Sequence, residues 1–331
     1  MRVFLVGEAS THREDLVKAL PGDVRTRVEL VDLPREAAHD GSFDTRISAD
    51  DVVVSLRFRR NGSALPRMRL LHVPGAGLDG IDLDRLPSET IVCNVFEHEI
   101  PIAEYTLGAM LDWEIDFRGM NASMSVESWA DTYRARRPHG ELFGKTVVVL
   151  GYGRIGQTVA RRAQAFGMRV IGVDPFLAGK SDPSGAAEDI VHPGCLSEAA
   201  SAASYLVVTC PLTPESAGAV NGSVLSALGT KGVLINVSRA EVVDEDALFE
   251  ALSSEAIRGA SLDVWYRYPT GAEDRVPPSN HDFLSLGNVR ATPHSSAWTR
   301  ELSRRRYAVI ASNIAALMEG GDLRNRIERG R

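Results

Sequence analysis

Cysteine is scarce in this 331-residue chain: Cys93, Cys195 and Cys210 stand far apart. They form no CxxC pair and no metal-ligand spacing. That argues against a disulfide scaffold and against any bound metal, and makes a cytoplasmic protein with reduced thiols the expectation. Long hydrophobic runs are missing too. No apolar stretch reaches membrane-spanning length, and the opening MRVFLVGEAS reads as a short strand and turn, too brief for a signal-peptide core. An excess of positive charge is also absent. With 37 Lys and Arg against 44 Asp and Glu, the formal charge is −7, which argues against a nucleic-acid partner. Two basic clusters, Arg304, Arg305 and Arg306, then Arg324, Arg326, Arg329 and Arg331, read as solvated surface. What is present is an ordinary core composition, 44% hydrophobic, in a chain long enough for about two domains.

The most informative stretch is residues 146–174, TVVVLGYGRIGQTVARRAQAFGMRVIGVD. An apolar run over 147–150 ends in Gly151-Tyr152-Gly153-Arg154-Ile155-Gly156. An amphipathic helix pattern follows to Phe166, and a second apolar run over 170–173 ends in Asp174. Strand, glycine turn, helix, strand and acid together predict a dinucleotide site built on Gly151, Gly153, Arg154, Ile155 and Gly156. Gly151 permits the tight turn, Gly153 lets the backbone approach a pyrophosphate, and Gly156 lets the helix lie close to the strand. A carboxylate at Asp174 accepts hydrogen bonds from ribose hydroxyls and repels a 2′-phosphate. Pro175, Phe176 and Leu177 bring no Arg, and Lys180 lies beyond the turn, so NAD is expected over NADP.

Strand patterns over 3–6, 28–31, 52–56, 70–73 and 91–93 precede this motif, and others over 205–209, 233–237, 260–264 and 289–291 follow it. The alternation predicts an α/β fold with mostly parallel sheets. Pro101 opens a helix carried through residue 120. It is apolar nearly all round at Ile102, Tyr105, Leu107, Met110, Leu111, Ile115 and Phe117, as a bridge between domains partly covered by a second subunit would be. The other clear helices are expected over 244–252 and 299–318, and the Pro-rich 266–280 reads as irregular.

Three further positions follow predicted strands, where open α/β sheets bind ligands. Arg239, after LINVS, is either a turn arginine or a two-pronged partner for a substrate carboxylate. His294, in TPHSSAWT, is either structural or a proton exchanger beside the cofactor. Residues 72–79, HVPGAGLD, form either a plain turn or an anion-binding nest of backbone N–H groups.

Together these stretches resemble the D-2-hydroxyacid dehydrogenase family. PGAGLDGIDL, NVFEHEIPIAEYTLGAML, ELFGKTVVVLGYGRIG, CPLTPES, LINVSRAEVVDEDAL and TPHSSAWT match its signatures in the right order along nearly the whole chain. The resemblance implies two Rossmann-like domains with parallel sheets. The substrate domain would be discontinuous, 1–98 plus 297–331, and the NAD-binding domain 99–296. It implies a homodimer joined through the cofactor domains, and a small 2-keto or 2-hydroxy acid as substrate. Arg239 would hold the substrate carboxylate, with N–H groups of Gly75, Ala76 and Gly77 gripping it as well. His294 would be the acid–base group. Asp263 would contact the nicotinamide carboxamide and help fix Arg239, and Cys210, Pro211 and Val237 would line the cofactor pocket.

The chain departs from the family at one telling point. The family places a Glu five residues after the Asp of its DVxxxE segment, paired with the catalytic His; here that position is Tyr268, followed by Pro269. A neutral phenol stabilises an imidazolium less than a carboxylate does. Keto-acid reduction at alkaline pH is therefore in doubt and oxidation is favoured, unless Tyr268 simply hydrogen-bonds His294 and leaves the reaction unchanged. Arg57, in Arg57-Phe58-Arg59-Arg60, is either solvated or a second anion handle suited to a phosphono, phospho or dicarboxylic acid, whereas Arg59 and Arg60 read as surface. Trp298 either walls the pocket or packs a helix or dimer. Two rival functions stay open: formate- or phosphite-like oxidation on the same fold, and a non-catalytic NAD(H)-sensing module.

Overall fold

The computed structural model describes residues 1–60, 64–269, 271 and 273–329. Arg331 of the basic tail, and residues 270 and 272 of the 266–280 segment, lie outside the described residues. The chain divides into two compact units, Met1–Glu97 with Thr299–Arg331, and His98–Trp298. Ala297 packs with the core of the second unit and the Trp298 N–H bonds to the Ser295 carbonyl at 2.9 Å, so both residues stay with the strand end that leads to them.

The first unit carries strands β1 (Arg2–Val6), β2 (Glu29–Leu33), β3 (Val52–Val54), β4 (Leu70–His72) and β5 (Ile91–Cys93) in a parallel sheet of order β2-β1-β3-β4-β5. The helix Arg300–Glu319 buries Tyr307, Ile310, Ala311 and Ile314 against Val3, Leu5, Val52 and Val54 of this sheet. Its Asn313 is buried against His72, Nδ2 to Nε2 at 2.9 Å. Burial without a charged partner pushes His72 down to about 4. Arg60 corrects the sequence reading. Expected on the surface, it is 3% exposed, paired to Asp44 at 2.6 Å, bonded to the Ala37 carbonyl at 3.0 Å and stacked over the Phe58 ring at 4.4 Å. A planar guanidinium can be buried when donors and face are all used.

The second unit carries β6 (Thr146–Leu150), β7 (Arg169–Val173), β8 (Asp189–Val191), β9 (Tyr205–Val208), β10 (Val233–Asn236), β11 (Gly259–Leu262) and β12 (Val289–Ala291), all parallel, in the order β12-β11-β10-β9-β6-β7-β8. Every residue of β6, β9, β10 and β11 is buried, because helices cover both faces; this is why β6, β9 and β10 read as largely apolar runs. Val148 and Leu150 enter one core, Val147 and Val149 the other. The three-residue edge strand β8 has no such run and was not anticipated. The sheet reverses direction of growth at β6, between β9 and β7, which places a crevice beyond the carboxyl ends of these strands.

The long helix is shorter than its sequence pattern implies. It spans Glu99–Ile115 and stops at Asp116, which turns left-handed (φ 53°) and uses its carboxylate to cap the Gly119 N–H of a second helix, Phe117–Ala122. Near its end, buried Glu114 accepts from the Tyr205 hydroxyl, from Lys145 at 2.6 Å and from Arg258 at 3.1 Å, so the charge is compensated on both oxygens. Among the described residues no helix is long and apolar enough to cross a membrane.

Candidate active site

The glycine turn is built as its residues require. Gly151 has φ +91°, and a Cβ there would collide with the backbone of Cys210. A Cβ on Gly156 would collide with the Gly151 carbonyl and crowd Val149 at 3.1 Å, so this glycine sets the helix–strand distance. Gly153 differs. A Cβ there would meet no described atom within 4 Å, so packing within the protein does not demand a glycine. As the residue preceding the helix Arg154–Ala165 it offers no side-chain acceptor, which leaves the Ile155 and Gly156 N–H groups to an anion. Arg154 and Ile155 open that helix, exposed and half-buried respectively.

Asp174 lies past β7, half-buried. One oxygen accepts from the Tyr152 N–H at 3.0 Å, the other from Phe176 and Leu177 N–H at 2.9 and 3.1 Å. The carboxylate thus ties the glycine turn to the next strand and keeps lone pairs for ribose hydroxyls. Cys210 and Pro211 follow β9 and Val237 follows β10, at the same edge of the sheet. Burial pushes the Cys210 thiol up to about 11, which makes it a wall rather than a nucleophile. Open space at Gly153, uncapped N–H groups and an acid at the end of β7 fit a dinucleotide.

Beyond β10, β11 and β12 lies a second cluster. Asn236 holds the Arg239 loop: its Nδ2 donates to the Arg239 carbonyl at 3.0 Å and its Oδ1 accepts from the Ser238 N–H at 3.1 Å. The Arg239 side chain is exposed, with Nη1 on the Ser238 carbonyl at 2.8 Å. The expected contact between Asp263 and Arg239 is not made among the described residues. Asp263 is fully buried. It accepts from the Thr292 hydroxyl at 2.6 Å and from the Ser295 and Ser296 N–H groups at 2.7 and 2.9 Å. These donors reach the carboxylate because β11 and β12 are neighbours, so Asp263 anchors the loop that carries His294.

That loop presents His294 in the left-handed region, φ 57°. The Tyr268 hydroxyl lies 2.8 Å from His294 Nδ1 and accepts from the Trp265 N–H at 3.0 Å. The Trp265 indole N–H donates to the Thr292 carbonyl at 2.9 Å, and Tyr105 meets the Thr292 hydroxyl at 2.7 Å. Trp298 is 78% exposed. Asn236, Trp265, Thr292, Ser295 and Ser296 were not singled out from sequence. Their only signal was nearness to the residues they hold.

In the first unit, the Arg57 loop and the 74–79 loop lie side by side, joined by the Phe58 N–H to the Gly80 carbonyl at 2.9 Å. Arg57 is exposed, whereas Arg59 is engaged by the Asp79 carbonyl and by Asp82 at 3.7 Å. The Gly75 carbonyl accepts from Val95 at 3.1 Å and the Ala76 carbonyl from Asn94 at 2.9 Å. No hydrogen bond among the described residues takes the N–H groups of Ala76 or Gly77. A Cβ on Gly77 would lie 3.3 Å from the Asp79 carboxylate, a charge that opposes an anion there.

Residues 107–296 match the family model described as D-isomer specific 2-hydroxyacid dehydrogenase, NAD binding domain. The chain belongs to the D-isomer specific 2-hydroxyacid dehydrogenase family. It is 32% identical over 256 residues to a D-3-phosphoglycerate dehydrogenase of Methanocaldococcus jannaschii, covering 77% of this chain and 46% of that one. It is 32% identical over 264 residues to the D-3-phosphoglycerate dehydrogenase of Rattus norvegicus, covering 79% and 46%. The chain therefore spans about half the length of these curated relatives. Among solved structures, the NADPH-dependent glyoxylate/hydroxypyruvate reductase of Sinorhizobium meliloti, in complex with citrate, superposes with a TM-score of 0.71 at 25% identity, over 98% of this chain and 97% of that one. The NAD-complexed D-isomer specific 2-hydroxyacid dehydrogenase of Lactobacillus delbrueckii ssp. bulgaricus shares the fold, with a TM-score of 0.75 at 20% identity, over 99% and 100%. NAD is the cofactor of this dehydrogenase-family domain. Gly151, Gly153, the opening turn of the following helix and Asp174 are the residues that would hold it.

Proposed function

We propose that the chain is an NAD-dependent oxidoreductase that interconverts a 2-keto acid and a 2-hydroxy acid. The observation that carries this reading is that Arg239 and the His294–Tyr268 pair follow the carboxyl ends of β10, β11 and β12, in the sheet whose β6 leads into the glycine turn. Arg239, exposed and pinned through its backbone, binds the substrate carboxylate with two parallel N–H groups. His294 holds the proton exchanged with the carbinol oxygen, and Tyr268 orients its ring from the Nδ1 side. Bound NAD supplies the hydride acceptor or donor. Asp263 acts through the loop, fixing Thr292, Ser295 and Ser296 so that His294 does not drift. Pro211 and Val237 line the cofactor side and Trp298 flanks the substrate.

On the first unit, Arg57 and the free N–H groups of the Gly75-Ala76-Gly77 loop supply anion donors. They support an anionic substrate carrying a phosphono, phospho or second carboxylic group. Phe117 (61% exposed), Val126 (90%) and Trp129 (54%) form an apolar stretch of the second unit that supports a homodimer through that unit. Reduced, scattered cysteines support a cytoplasmic setting. The test is NADH oxidation against glyoxylate, hydroxypyruvate, phenylpyruvate, oxaloacetate and phosphonopyruvate, from acidic to alkaline pH. Rapid turnover of one acid is expected. Tight NADH binding without turnover of any would point to a different hydride donor or to a sensing module.

A further inference from the structure

We propose that the Trp265 backbone N–H and the Tyr268 hydroxyl together set the tautomer of His294, so that the neutral imidazole carries its proton on Nε2 and meets the substrate as a hydrogen-bond donor. The proposal deepens the acid–base reading of His294 and rests on it for its kinetic consequence, though not for the tautomer itself.

A phenol has one proton to give and two lone pairs to receive. The Trp265 N–H, 3.0 Å away, can only donate and takes one lone pair. The phenol proton then needs an acceptor, and among the described residues the one within reach is His294 Nδ1 at 2.8 Å. If Nδ1 also carried a proton, the Trp265 N–H and the Nδ1–H would fill both lone pairs, and the phenol proton would have no acceptor among the described residues. Donation from Tyr268 to Nδ1 uses every group once and places the ring proton on Nε2. The charged groups that face this hydroxyl are Arg239, Asp263 and Glu241. Burial, opposed by the Trp265 N–H and Arg239, keeps the phenol above its ordinary range, so its proton is present across neutral pH. Trp265 is the positioning residue of the arrangement. Its backbone N–H directs Tyr268, while its indole N–H grips the Thr292 carbonyl at the base of the His294 loop, 2.9 Å away.

A carboxylate at position 268 would do the reverse. Able only to accept, it would hold a proton on Nδ1 and leave Nε2 bare in the neutral ring. The two arrangements therefore select different ligands at alkaline pH. An Nε2–H group suits a keto acid, whose carbonyl oxygen can only accept. A bare Nε2 suits a hydroxy acid, whose proton must be removed. Charge alone favours oxidation. Hydrogen-bond direction favours the keto acid.

The test is 15N–1H correlation of the imidazole rings in protein labelled with 15N-histidine, at alkaline pH, with His294 assigned by the signals lost in His294→Asn. Wild type is expected to give the Nε2–H pattern at His294, and Tyr268→Glu the Nδ1–H pattern. Tyr268 is 46% exposed, so neither Tyr268→Glu nor Tyr268→Phe removes core packing. Tyr268→Phe should lose the bias and give mixed tautomers. In turnover at alkaline pH, Tyr268→Glu should raise the ratio of keto-acid to hydroxy-acid KM by about tenfold or more. An Nδ1–H pattern in wild type, or an unchanged pattern in Tyr268→Phe, would overturn the proposal. The spectrum needs no turnover. An Nε2–H signal in a protein inactive on every acid supports the tautomer and refutes the 2-keto-acid reading.

Discussion

The cofactor turn and the acid–base corner lie at one edge of the same sheet, yet they are held by different physics. The turn is held by space. At Gly151 the backbone of Cys210, and at Gly156 the carbonyl of Gly151, occupies the volume a Cβ would need. The corner is held by directed bonds, with buried Asp263 collecting three donors and Trp265 donating at both ends. A sterically fixed site tolerates no added atom. A bonded site tolerates no lost acceptor. Substitutions should therefore separate the two regions by what they damage.

The largest effect is expected within the turn itself. Gly151→Ala combines a left-handed backbone with a collision against Cys210, and should cost about 3 kcal/mol or more of stability. Gly153→Ala meets no described atom within 4 Å. It should leave thermal unfolding unchanged while weakening NADH binding by about tenfold or more, since the added methyl would stand in the space proposed for the pyrophosphate. Calorimetric unfolding and NADH titration of both variants check this, and equal stability losses would erase the distinction.

Acid offers a control remote from both regions. His72 in the first unit is neutral when folded, with its pKa depressed to about 4 by burial. The unfolded chain binds the proton first, so stability is whole above pH ~6.5, declines as pH falls, and by pH ~4 has lost about 3 kcal/mol from this residue. Unfolding midpoints measured from pH 7 to 4 should fall, and His72→Gln should flatten the fall.

The corner should respond more mildly. Asp263→Asn turns one acceptor oxygen into an amide NH2 facing an N–H group, at a cost of about 2 kcal/mol. Keto-acid turnover should drop with NADH affinity kept; a matched loss of both would mean that Asp263 serves the cofactor rather than the loop. The smallest effect is expected at Arg57. Its exposed side chain should spare stability, and Arg57→Ser should raise KM for a dianionic keto acid about tenfold while leaving a monoanionic one near wild type. Equal losses on both would remove it from substrate recognition.

The same contrast explains what could be read before the structure. Gly156 and Asp174 were legible because their partners are near neighbours around one strand–helix–strand unit, with the fully buried β6 leaving an apolar run; Gly151, whose added Cβ would strike the distant Cys210, was legible from its place in the glycine motif. The family signatures made Arg239, His294 and the odd Tyr268 legible as residues. The bonds that position them were not. Thr292 and Ser296 reach Asp263 across 29 and 33 residues, and only the neighbouring of β11 and β12 brings them together. The helix stop at Asp116 was hidden for another reason. Its apolar pattern continues through Phe117, and the break depends on one left-handed residue capping the next helix. Arg60 was misread as surface because its burial depends on Asp44 and the Phe58 face meeting it at once.

The most direct measurement pairs binding with chemistry in one variant. In His294→Asn, the NADH dissociation constant should stay within about twofold of wild type, while kcat on the best keto acid falls by about a hundredfold or more. That result would make the turn a binding site and the corner the seat of proton exchange. Full turnover in His294→Asn, or loss of NADH binding along with activity, would contradict the account.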